Sequence, residues 1–276
     1  MIIILQIFIL LKKCHVYCIF ILEFCEYERM VEMSDQTPYN VDGKKKLMPM
    51  AVEFVENPEP RCACVLLVDT SGSMAGENIR ALNNGIKELK RQLENDDIAS
   101  KRVEIAVVKF DTTAEVVTDF TTVDGFNPPE LEASGVTSMT EAINLAANML
   151  EERKKDYKQN GIAYYRPWMF LITDGEPTDE EGYVLEDSDS RLTGAIKTLH
   201  NGVNGKQFTF FAVGVDNANM GTLSKLSPKN APARLKENKW SEMFEWLSSS
   251  LVSMSSSSMD QERAKLPPVD WGFADL

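Results

Sequence analysis

Strands that are apolar on both faces, alternating with amphipathic helices, predict an α/β fold. The expected form is a mostly parallel central sheet with one antiparallel edge strand and helices on both faces. Three observations carry this expectation. CACVLLV (62–68) is apolar without interruption, WMFLITDG (168–175) opens on a second such run, and an acidic residue follows each. Ile79, Leu82, Ile86, Leu89 and Leu93 recur at spacings of three and four, one face of a helix. VEIAVVKF (103–110) and AEVVTDF (114–120) are separated by a short turn, which suits an antiparallel pair at one edge.

The remaining elements follow in order. After a loop with Pro128 and Pro129, SGVTSM leads into a helix whose Met139, Ala142, Ile143, Ala146, Ala147 and Leu150 share one face. A helix is expected around 189–201, then the strand QFTFFAVGV (207–215), a short helix near Met220–Leu226 and an amphipathic helix near Ser241–Met254. The domain therefore spans 61–254, behind a polar lead-in (34–60) that carries several prolines. The Ser- then Pro-containing tail (255–276), with Trp271, reads as a flexible, solvated end.

Residues 1–33 form an apolar leader that Lys12 and Lys13 split into runs too short for a spanning helix of ~20 residues. It lacks the charge order and small-residue cleavage site of a signal peptide. The expectation is an upstream start-site miscall, with the protein beginning near Met30 or Met33; a monotopic anchor is the alternative. Membrane association is not expected.

The composition is that of a globular protein, with a net charge of −13 and a single short basic run, Lys44–Lys46. That balance argues against nucleic acid, whose binders need basic patches. A bound cation or a basic partner suits it better. The five cysteines, at 14, 18, 25, 62 and 64, do not make a disulfide framework, and a reducing compartment is expected. Cys62 and Cys64 read as buried small hydrophobes. A zinc pair would have only His15 and His200 to complete it.

In open parallel sheets, sites form beyond the carboxyl ends of the strands. Asp69 and Asp174 each follow an apolar strand, so both carboxylates belong on one rim. Ser71 and Ser73 alternate with Asp69, and Thr137 precedes a helix within reach of that rim. Hard oxygen donors of this kind suit Mg²⁺ or Mn²⁺. With few anionic ligands such an ion keeps positive charge and attracts an acid. The rival readings are weaker. A helix cap explains Asp69, Ser71 and Ser73 but not the other two. A phosphate loop needs a lysine that this loop lacks, and a serine hydrolase needs G-x-S-x-G and a base, for which His200 is ill placed. A phospho-aspartyl enzyme using Asp69 is the serious alternative, although such sites commonly carry a second acid where Ser71 stands.

The set Asp69-x-Ser71-x-Ser73, Gly-x-Thr137 and Thr-Asp174-Gly resembles the metal-ion-dependent adhesion site (MIDAS) of von Willebrand factor A (vWA) domains, over roughly residues 62–252. The stretches LNNGIKELKRQL, YYRPWMFLITDGEPTD and FTFFAVGV are similar to the compact bacterial members linked to tellurium resistance, called TerY-like. One departure is GVTSM, where that subgroup usually has GGTPM; it leaves Thr137 in place. The resemblance implies a Rossmann-like fold and a metal held by Asp69, Ser71, Ser73, Thr137 and Asp174. It further implies a cytoplasmic, non-enzymatic module that binds a protein partner through an acidic side chain, in a stress-response type of complex. A Mg²⁺-dependent phosphoryl-transfer or hydrolytic enzyme is the alternative.

Overall fold

In the computed structural model the described residues are 50–257 and 266–274. The chain divides into two compact units, Met1–Glu56 and Asn57–Leu276. Of the first, the described part is the short helix α1 (Met50–Glu56), which falls within the expected polar lead-in; the apolar leader lies outside the described residues.

The second unit is built on β1 (Cys62–Asp69), buried at every position. It pairs in parallel with β2 (Val103–Phe110) on one side and with β4 (Trp168–Thr173) on the other. β5 (Thr209–Gly214) and β6 (Ala233–Leu235) extend the parallel sheet. β3 (Ala114–Thr122) and β7 (Gly272–Ala274) close its two edges, in the order β3-β2-β1-β4-β5-β6-β7. Both edge strands are antiparallel, against β2 and β6 respectively, where one antiparallel edge was expected.

The second antiparallel edge corrects the reading of the tail at residues 266–274; residues 258–265, 275 and 276 lie outside the described residues. The indole of Trp271 is 2% exposed and stacks edge-on against Trp246, with ring centroids 5.7 Å apart. Trp246 Nε1 donates to the Pro267 carbonyl at 2.9 Å, and Lys236 N donates to the Trp271 carbonyl at 3.0 Å. Gly272 lies so close to β6 that a Cβ there would sit 3.0 Å from the Arg234 carbonyl oxygen. An aromatic anchor and backbone pairing outweigh the local Pro composition.

Helices cover both faces. α2 (Glu77–Glu94) follows a 3-10 turn at Gly72–Met74 and Gly76, whose φ of 92° few other residues tolerate. Its apolar stripe meets α7 (Trp240–Ser256) so closely that a Cβ on Gly85 would overlap the Phe244 ring. Cys62, Cys64, Leu66 and Val68 join these helices in the main core. The short α3 (Ala99–Arg102) turns the chain into β2. α4 (Met139–Gln159) and α5 (Ser190–Asn204) bury Ile143, Ala146, Leu192 and Leu199 on the opposite face, and α6 (Met220–Leu226) follows β5. Asp189 and Asn219 cap α5 and α6 by accepting from Arg191 N and Thr222 N.

Cys62 and Cys64 are fully buried and free, with their thiols on the core face. Burial pushes the Cys62 thiol up to about 12 and Cys64 higher still, so neither is a ready thiolate. Among the described residues no helix is long and apolar enough to cross a membrane.

Near the start of β2, Glu104 is fully buried and carries the charge balance of that end of the sheet. Arg61 Nε donates to its Oε1 at 2.8 Å, and Arg153 donates to both carboxylate oxygens at 2.8 Å. Tyr157 adds a hydroxyl bond to Oε2. Arg61 also binds the carbonyls of Glu59 and Asn57, which ties the entering chain to the core. Removing one partner of a buried ion network leaves uncompensated charge, so Glu104→Gln should cost about 3–5 kcal/mol in chemical denaturation. A loss within about 0.5 kcal/mol, the level of an ordinary surface change, would show that the network carries no such cost.

Candidate metal centre

The parallel register places the site. Val68 of β1 lies opposite Ile172 of β4, so the next residues, Asp69 and Thr173, end side by side at the carboxyl rim. Asp69 is fully buried. Its Oδ1 accepts from Ser71 N at 2.8 Å and its Oδ2 accepts from the Thr173 hydroxyl, which itself accepts from Gly175 N at 3.1 Å. Both carboxylate oxygens are thereby aimed by the chain.

The β1–α2 loop turns back over this carboxylate. Gly72 N donates to the Gly135 carbonyl at 3.1 Å and Ser134 N donates to the Thr70 carbonyl at 2.7 Å, which brings the Thr137 loop alongside. Ser71 and Ser73 hydroxyl oxygens lie 3.0 Å apart, and Ser73 Oγ donates to Asp174 Oδ1 at 2.7 Å. Thr137 is held through its backbone: its N donates to Thr178 Oγ1 at 2.9 Å, and its carbonyl accepts from Thr178 N at 3.0 Å.

Gly175 shows where the oxygens converge. A Cβ there would lie 3.3 Å from Thr137 Oγ1 and 3.8 Å from Asp69 Oδ2. All five residues singled out from the sequence are thus gathered at one rim from three loops. Two that sequence reasoning left out hold them in place, Thr173 through Asp69 and Thr178 through Thr137. Their signal was the Thr of each Thr-Asp pair in ITDGEPTD.

The donor set is two carboxylates and three hydroxyls, all hard oxygen, which fits a Mg²⁺-type ion and not a soft metal. Among the described residues no group of three or more His, Cys, Asp or Glu could hold a metal. His200 is on α5 with its Nε2 2.9 Å from the Lys225 carbonyl oxygen. Beside Ser73 the rim opens into a groove of about 780 Å³ lined by Asn78, Asp216, Arg234, Lys236 and Trp240.

A von Willebrand factor type A domain model matches residues 64–246, which spans both faces of the sheet and the whole rim just described. The chain belongs to the von Willebrand factor type A family. No curated protein sequence matches it. Among solved structures, this vWA domain is similar to a von Willebrand factor type A protein from Catenulispora acidiphila, with 19% identity and a TM-score of 0.53, covering 70% of this chain and 43% of the other. The pilus adhesin SpaC from Lactobacillus rhamnosus GG gives 13% identity and a TM-score of 0.55, over 70% and 31% of the two chains. The PilB minor pilin from Streptococcus sanguinis gives 14% and 0.52, over 72% and 64%. The vWA chain thus spans less than half of the first two structures, and at these identities the likeness is one of fold.

Burial raises the Asp69 carboxyl to about 6, against the opposing bonds from Ser71 and Thr173, and the nearby Asp174 charge adds to the rise. Asp174 is also raised, chiefly by burial, with the Ser73 bond opposing and Asp216 contributing. Because the folded value of Asp69 lies above the unfolded one, the folded state binds more protons between about pH 4 and 6. The stability associated with the neutral form is then lost as pH rises through 6. Without divalent cations, Asp69→Asn should therefore stabilise the domain by roughly 1–3 kcal/mol at pH 7 and flatten its stability profile between about pH 4 and 6. Denaturation of both proteins across that range in chelator is the measurement. An unchanged slope would show that Asp69 is not held against its own charge.

Proposed function

We propose that this vWA domain is a non-enzymatic protein-binding module that takes Mg²⁺, or Mn²⁺, on Asp69, Ser71, Ser73, Thr137 and Asp174. The observation that supports it most is the meeting of Asp69 and Thr137 oxygens beside Gly175, with Ser71, Ser73 and Asp174 linked by hydrogen bonds at the same rim. When bound, the cation supplies a Lewis-acidic position that an acidic side chain of a partner completes.

The protein's own residues prepare that position. Thr173 and Ser71 N fix the Asp69 carboxylate, so neither of its oxygens must be reoriented on binding. Thr178 fixes the Thr137 backbone, and Gly175 leaves open the space between the Thr137 hydroxyl and Asp69. Three of the five donors are neutral, which leaves a doubly charged ion incompletely neutralised and attractive to a carboxylate.

The alternative, an enzyme that forms an acyl-phosphate on Asp69, is less well supported. Asp69 is fully buried and both of its oxygens accept hydrogen bonds, whereas a nucleophile needs an exposed oxygen aimed at its target. The TerY-like stretches support a place in a cytoplasmic stress-response complex of the tellurium-resistance type.

Calorimetry should show Mg²⁺ or Mn²⁺ binding to the purified chain. Thr137→Ala, or Ser71→Ala with Ser73→Ala, should weaken it at least about tenfold, the lower end of what a misplaced ligand costs. At a hundredfold excess over Kd the ion should stabilise the fold by about 2.7 kcal/mol. No heat and no stabilisation would overturn the metal reading. Phosphate release or a trapped acyl-phosphate, lost in Asp69→Asn, would overturn the binding reading.

A further inference from the structure

The turn that follows Asp174 carries a feature the metal site does not use. Between Glu176 and Asp189 there are seven acidic residues and no Lys, Arg or His. Within this stretch the chain forms a small, defined hairpin. Thr178 and Val184 make an antiparallel bridge, Asp179 N donates to the Tyr183 carbonyl at 2.9 Å, and Leu185 N donates to the Pro177 carbonyl at 2.9 Å. Pro177 and Leu185 are buried and anchor its base.

Its tip does the opposite. Tyr183 is 72% exposed and Val184 53%, the one adjacent pair among the large exposed hydrophobics of the described residues. Glu180 and Glu181 beside them are also exposed. Of the other acids, Asp187 pairs with Lys225, Asp189 with Arg191 and Glu176 with Asn219, and Asp179 accepts from Glu181 N and Tyr183 N, while Glu186 is exposed beside Leu185. The charge offered outward thus comes from Glu180, Glu181 and Glu186, which flank the apolar pair in the sequence.

This tip is joined to the candidate metal centre. Thr178 bonds both the N–H and the carbonyl of Thr137. Gly182, with φ 88°, lies against Val136, where a Cβ would come within 3.0 Å of Val136 Cγ1. A partner segment that reaches the Thr137 side of the rim therefore meets the tip of this hairpin next.

We propose that the Thr178–Val184 hairpin is a specificity surface for a basic protein segment, which places an apolar side chain on Tyr183 and Val184 and Lys or Arg side chains against Glu180 and Glu181. This rests on the metal-dependent binding reading and names the kind of partner it serves: an acidic residue for the cation, flanked by basic and apolar residues. An exposed aromatic beside an aliphatic is a ready anchor once covered, since tyrosine is among the residues that dominate interface energies. The surrounding carboxylates reject acidic sequences and steer basic ones, so they act mainly on association rate and its salt dependence.

The test is selection of a random-peptide phage library on the full chain with Mg²⁺, followed by affinity measurements on synthetic peptides from the selected pool. The expected peptides pair one Asp or Glu with nearby Lys or Arg and an apolar residue. They should lose affinity about tenfold or more with Tyr183→Ser, and also with Glu180→Lys plus Glu181→Lys. The charge reversal should in addition remove the fall in association rate with added salt. Thermal melts that match the unaltered chain serve as the folding control, because these side chains are exposed. Chelator-sensitive peptides indifferent to both sets of substitutions would overturn the hairpin surface and leave the metal reading intact. Hairpin-dependent peptides indifferent to chelator would overturn the metal reading instead. A pool without basic residues, or no enrichment at all, would overturn the proposed partner chemistry.

Discussion

The parallel pairing of β1 with β4 is the constraint on which the rest depends. Five consecutive register pairs, from Cys64 with Trp168 to Val68 with Ile172, put Asp69 beside Thr173 at the rim. A slip of one residue would turn every side chain of a strand to the other face, exchanging the Leu66 and Val68 face of the core for that of Val65 and Leu67. It would also separate Asp69 from the hydroxyl that orients it. The same hydrophobic burial that fixes the register therefore fixes the chemistry, with no separate device needed to aim the carboxylate.

Two buried acids show how differently the fold treats charge. Glu104 is surrounded by Arg61, Arg153 and Tyr157, which together satisfy both of its oxygens and supply opposite charge. Asp69 receives neutral donors only, and burial raises it. The first arrangement is a closed network that binds structural elements together. The second leaves an unbalanced negative position buried just beneath the rim, with a second carboxylate, Asp174, held nearby through Ser73. A fold that invested only in stability would have no reason to leave the charge there unmatched.

What the sequence made legible follows from the range of the forces involved. Strand β1 was readable to within a residue because a continuous apolar run reports burial on both faces, and β2 to its ends because VEIAVVKF is rich in β-branched and apolar residues and a short turn follows it. The gathering of Asp69, Ser71, Ser73, Thr137 and Asp174 was readable because strand ends in a parallel sheet share a rim. By contrast, β6 and β7 are three residues each, and nothing local distinguishes Ala233–Leu235 from a loop. They exist because β5 and Trp246 offer partners, which only tertiary structure reveals. Glu104 was hidden for the same reason: a polar residue in VEIAVVKF reads as an exposed position, and its partners come from residues 43 and 49 positions away. Thr173 was visible as a letter but not as a role, since its bond to Asp69 spans 104 positions.

The C-terminal strand has a consequence for how such domains are delimited. The span matched by the family model ends at residue 246, inside α7, whereas β7 and Trp271 come later in the chain. A protein cut at that boundary would present β6 as a bare edge, with unpaired backbone groups and an uncovered Trp246 beside them. Open edges of this kind recruit strands from other molecules. Folding and solubility are then both at stake when the boundary is drawn, because the cut also takes Leu247 and Leu251 of α7 out of the core while stripping the partner strand from β6.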